Sequence, residues 1–170
     1  MDAIFENFPE LRIHQKELFT FALNNKKLQK KLIQAFHNIN CKNFTFEEIT
    51  NPTVPGCTVI FELGIADTKN FTFIDEEETK KMLAVLNKET MRVMDFFCVI
   101  RYYREYTSNK KPLKFDYYMT RFNFPEERML EMQIFHERGP RYIPPKALVT
   151  FLSGAINGSS GRKIIKKIES

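Results

Sequence analysis

A chain of 170 residues, 43 % hydrophobic and 28 % charged, has the balance of one folded domain, which excludes a disordered or fibrous polypeptide. Its longest apolar-rich stretches, such as 94–100, fall far short of the roughly 20 residues of a bilayer helix, so no helical membrane span is expected. The formal net charge of +5 is unevenly spread: residues 41–100 are acidic, while 137–170 hold Arg138, Arg141, Lys146, Arg162, Lys163, Lys166 and Lys167 against Glu137 and Glu169. A basic end of this kind is either a polyanion-binding face or a solvated tail.

Pro9 suits a first helical position, and Leu11, His14, Leu18, Phe21 and Ala22 recur at three-to-four spacing, which predicts a helix from about residue 9. Asn24-Asn25 bends or breaks it, because Asn competes for backbone hydrogen bonds. An amphipathic run follows to residue 39, with Leu28, Leu32, Phe36 and Ile39 on one side and Lys26, Lys27, Lys30 and Lys31 on the other. Residues 50–56 read as a loop. Alternation of Val59, Phe61, Leu63 and Ile65 predicts a strand over 58–66, returning at 70–74.

Asp75 can cap a helix over 75–89, whose Glu76, Glu77 and Glu78 favour its positive end rather than forming a metal cluster. Strands near 92–106, 113–124 and 129–137, joined by polar turns, predict an antiparallel meander. Its buried side is expected to hold Val93, Phe97, Val99, Phe115, Met119, Leu130, Met132 and Ile134. Phe96 and Phe97 are both apolar, so the two parities of the first strand compete. Pro144-Pro145 opens a helix to about residue 157 that Gly158 ends, and 158–170 read as a flexible link and a basic C-terminal helix. The expected architecture is a single α+β domain spanning 1–170, a mostly antiparallel sheet of about five strands with helices packed mainly on one face.

No Gly-x-Ser-x-Gly, Gly-x-Gly-x-x-Gly or Gly-x-x-x-x-Gly-Lys-Ser/Thr motif is present, and neither a catalytic role nor a cofactor is assigned. His37 and Cys41 share a helical spacing, but zinc needs three or four ligands, so no metal is expected. Cys41, Cys57 and Cys98 are odd in number and unevenly spaced, and the N-terminus lacks a leader pattern; reduced thiols in the cytoplasm are the expectation.

Two polar groups stand out. His136, Arg138, Arg141 and Tyr142 gather where a strand leads into a helix, a place suited to a small ligand or an acid–base group. Arg101, Tyr103, Arg104, Lys110, Lys111, Lys114 and Tyr118 interleave rings and cations on a hairpin, the combination that stacks bases and holds phosphates. Glu105 and Asp116 interrupt this second group. The readings are therefore a non-enzymatic binding or protein-interaction domain, a small-ligand or enzymatic site near His136, and a weak nucleic-acid binder. A homodimer through an uncovered sheet face or edge is a further possibility, and no membrane partner is expected.

Overall fold

The computed structural model describes residues 2–51, 56–104, 112–158 and 163–168. Strand β1 (Gln15–Phe21) precedes α1 (Asn25–Asn40), β2 (Asn43–Thr45), β3 (Cys57–Ala66) and β4 (Phe71–Phe73). Then come α2 (Glu76–Lys88), the meander β5 (Val93–Arg104), β6 (Lys114–Asn123) and β7 (Met129–Arg138), α3 (Pro145–Asn157) and β8 (Ile165–Lys167). All pairings between strands are antiparallel, in the order β2-β3-β5-β6-β7-β1-β8 with β4 beside β3. The α+β class and the meander stand; the sheet has eight strands rather than about five.

The added strands have local causes. Residues 15–21, expected to be helical, form β1: Phe19 and Phe21 alternate into the core while Lys16 and Thr20 point out, and the strand pairs with β7. Asn24 does not interrupt a helix but starts one, accepting from Lys27 N at 2.9 Å as the cap of α1. The expected basic C-terminal helix is instead β8, pairing Ile165 with Phe21 and Lys167 with Phe19. Its Ile165 is tied to α3 by Asn157, whose Oδ1 accepts from Ile165 N at 2.8 Å. Asp75 caps α2 as expected, accepting from Glu78 N at 2.8 Å.

The core lies between the sheet and α1 and α3, with α2 packed on α1. Leu28, Leu32, Ile33, Phe36 and Ile39 bury the inner side of α1, and Phe36 meets Phe96 and Phe122 edge-on at 4.8 and 5.6 Å. Each such large side chain contributes about 1.5–3 kcal/mol on burial. Phe151 of α3 stacks on Phe61 at 4.9 Å.

This helix side takes Met94, Phe96, Cys98, Ile100 and Tyr102 from β5, and Asp116, Tyr118, Thr120 and Phe122 from β6. Leu130, Met132 and Ile134 are buried there as expected. Val93, Phe97, Val99, Phe115 and Met119, expected inside, lie half-buried on the opposite, outer face. Alternation could not decide between the parities because both are apolar in β5. Asp116 makes the inward parity of β6 look polar, yet its charge is fully bonded inside.

Candidate functional site

Asp116 is the polar centre of the helix side. Its carboxylate has no exposed surface and accepts four hydrogen bonds: from Tyr102 Oη at 2.6 Å, His136 Nε2 at 2.8 Å, and the backbone amides of Arg141 at 2.7 Å and Tyr142 at 3.0 Å. The strands supply the first two donors; the connection from β7 to α3 supplies the amides by folding back over the sheet. That fold-back requires Gly139, whose φ is +111° and where a Cβ would stand 2.3 Å from Phe115 O and 2.5 Å from Asp116 Oδ1. Gly139→Ala is accordingly expected to cost well over 1 kcal/mol in a urea titration, since both the backbone angle and the space oppose a side chain. A midpoint equal to wild type would show that the connection is not held against Asp116.

Further groups close this cluster. Tyr118 donates its hydroxyl to Ile143 O and crosses the His136 ring edge-on at 4.9 Å. Burial, then the Asp116 bond and charge, push the Tyr102 hydroxyl far above its ordinary range; burial and then Asp116 do the same to the Cys98 thiol. Both are inert at neutral pH. His14 Nδ1 accepts from His136 N at 2.9 Å, and burial, then Arg141, His136 and Arg12, lower the pKa of its imidazole. Because Nδ1 is an acceptor, the neutral ring carries its proton on Nε2, 3.2 Å from the Arg141 guanidinium. His136, Arg138, Arg141 and Tyr142 line none of the four best-formed surface clefts among the described residues. The cluster locks a loop, with Asp116, Tyr102, Tyr118 and His136 all buried.

The outer face is different. Across it runs a line of aromatic rings: Phe5 to Phe71 at 4.6 Å, Phe71 to Phe97 at 5.1 Å, Phe97 to Tyr117 at 5.9 Å and Tyr117 to Phe115 at 6.3 Å. All five are half-buried, flanked by Val99 and Met119. Two cations lie over the rings, Arg138 on Tyr117 at 4.2 Å and Arg101 on Phe115 at 5.9 Å. A bulge in the β6–β7 pairing sets Arg138 opposite Tyr117 and turns it to this face, away from His136. Glu62 offsets one charge, meeting Arg101 Nη1 at 2.6 Å.

The N-terminal segment covers the other half of this face. Ala3 pairs in parallel with Met94, Phe5 N donates to Asp95 Oδ2 at 2.7 Å, and Arg12 lies over Phe135. Beneath it Arg121 grips the buried Asp95 with Nε and Nη2, both at 2.8 Å, while its Nη1 bonds Glu10 and its guanidinium lies 4.2 Å from the Phe8 ring. This anchor limits the accessible half to the ring line and its arginines.

The structure thus brings His136, Arg141 and Tyr142 together, around an aspartate that the sequence pattern showed only as an interruption. Arg101 and Tyr103 are half-buried on the outer face, and Arg104 and Lys114 are exposed at the same end of the sheet. Tyr118 is a core residue, and Lys110 and Lys111 lie outside the described residues. Tyr117 belongs to the aromatic hairpin that the sequence pattern marks, whereas Phe97 and Phe115 read there as core; the mark all three leave is their shared odd parity with Arg101 and Tyr103. Among the described residues no three His, Cys, Asp or Glu side chains are placed to hold a metal, and no helix is long and apolar enough to cross a membrane. No family model, curated protein or solved structure matches this chain.

Proposed function

We propose that this chain is a non-enzymatic binding domain acting through the outer face of its sheet, and that the ligand class this face fits best is single-stranded nucleic acid. The observation that carries the reading is the half-exposed row Phe97, Tyr117 and Phe115 with Arg138 and Arg101 over two of its rings. Rings offer π-faces that any base can stack on, and guanidinium groups both stack and hold phosphate. The sealed Asp116 cluster supports binding rather than acid–base chemistry. A reducing compartment such as the cytoplasm suits the exposed Cys41.

A fluorescence anisotropy titration with a labelled strand of about 12 nucleotides, inside the usual site-size range, tests this. Saturable micromolar binding is expected, weakening with salt at a log–log slope of about −0.7 for each phosphate contacted. Arg101→Gln together with Arg138→Gln should flatten that slope by about 1.4. Absence of saturable binding at low salt sinks the nucleic-acid reading. If the protein instead self-associates with concentration and Tyr117→Ala abolishes it, the face serves a homodimer.

A further inference from the structure

Past the last residue that β1 pairs with β7, a side chain takes over the strand edge. Gln15 lies opposite Ile134, and one residue earlier the His14 ring accepts from His136 N through Nδ1 at 2.9 Å. That bond fixes the tautomer, so the neutral ring carries its proton on Nε2. Nε2 stands 3.2 Å from Nη2 of Arg141. A guanidinium has donors and no acceptor, so neither group can accept from the other, and both donors remain for a third group.

The surroundings have the same sign. Arg12 lies 5.4 Å from the Phe135 ring, and His14 meets that ring at 4.9 Å. Partial burial, then the charges of Arg141, His136 and Arg12, hold the His14 imidazole below its ordinary pKa. Among the described residues neither Arg12 nor Arg141 forms an ion pair. Asp116 bonds Arg141 through its backbone amide, not through its guanidinium. Arg141 also holds its place at a φ of +57°, where glycine or asparagine is usual and a longer side chain is disfavoured. Arg12, His14 and Arg141 are all exposed.

We propose that His14 Nε2–H and the Arg141 guanidinium form a surface site for a phosphate group, with Arg12 adding charge. Two donors 3.2 Å apart suit two oxygens of one phosphate. Two arginine charges offset a phosphate dianion better than they fit a carboxylate, which carries one charge. The site rests on the His14–Arg141 contact, so it stands whether or not the aromatic row binds a strand. The phosphate could be a free ion or monoester, or belong to a nucleic-acid strand.

The chain has three histidines, so their ring resonances can be followed one by one, with His14→Gln assigning His14. Inorganic phosphate, titrated at fixed pH and ionic strength, should move the His14 signals saturably and leave those of His37 in place. Arg141→Gly relieves the backbone at this φ, so it should melt no lower than wild type. It should nonetheless bind phosphate about tenfold more weakly, the effect of one lost hydrogen bond to a charged group. Arg141→Gln should lose as much, and Arg12→Gln less. Lys30→Gln/Lys31→Gln, which removes two charges from α1, should titrate like wild type. Phosphate displaced from His14 by a 12-nucleotide strand would identify a nucleic-acid source; phosphate retained would identify a free ion or monoester. An equal response to acetate overturns the choice of phosphate. No saturable shift at His14, or equal binding by both Arg141 variants, overturns the site.

Discussion

Asp116→Ala is expected to remove on the order of 3–5 kcal/mol from the free energy of unfolding, a large share of what a domain of this size has. Among the described residues the carboxylate is the only acceptor bonded to the Tyr102 hydroxyl, the His136 Nε2 and the amides of Arg141 and Tyr142. Without it four donors lose their acceptor, and the two buried ones, on Tyr102 and His136, each cost about 1–3 kcal/mol until the loop relaxes or water enters. Tyr102→Phe is the contrast, because it removes one donor and leaves the carboxylate three; about 1 kcal/mol is expected. Urea unfolding followed by circular dichroism measures both. If Asp116→Ala cost no more than Tyr102→Phe, the β7–α3 connection would be held by packing alone.

Arg121→Met should cost a similar amount, about 3–5 kcal/mol, for a different reason: it strands the fully buried Asp95 charge. Burial works against the charged guanidinium, but the Asp95 and Glu10 bonds and charges outweigh it and raise the Arg121 pKa. Arg121 therefore stays charged at every pH where the fold survives. Asp95→Leu added to Arg121→Met removes the stranded charge, and the double variant should recover most of the loss in a double-mutant cycle. Recovery of less than half would mean that the pair matters mainly as the anchor of Phe5, Phe8 and Glu10 on the outer face. Proteolysis within residues 2–13 would then rise in both variants.

The local elements were largely legible in the sequence where one residue type dictates geometry. Asp75 capped its helix, Pro144-Pro145 opened α3 and Gly158 ended it. Where two patterns competed, tertiary pairing decided. Leu18 and Phe21 suit a helical stripe, yet Phe19 and Phe21 also alternate, and pairing with β7 selected the strand. In β5 every position from Phe96 to Ile100 is apolar, so composition alone cannot reveal its inner side. The polar group at His136–Tyr142 was visible as a cluster, but its centre was not. Asp116 lies more than a full turn and strand away in sequence, and only the β6–β7 register brings it to His136. The ring row on the outer face was hidden for the same reason, since Phe97 and Phe115 read as core material.

The most direct test of the binding face is the affinity of Tyr117→Ala for the labelled single strand at two salt concentrations. Tyr117 sits at the middle of the row, between Phe97 and Phe115 and under Arg138. Loss of a stacking ring should weaken binding by about 1–3 kcal/mol per base, by the same factor at low and high salt. Tyr118→Phe, one residue away but buried on the helix side, should lower stability and leave affinity unchanged. Equal affinity of Tyr117→Ala and wild type, or a loss only in Tyr118→Phe, would contradict the assignment of the outer face as the contact surface.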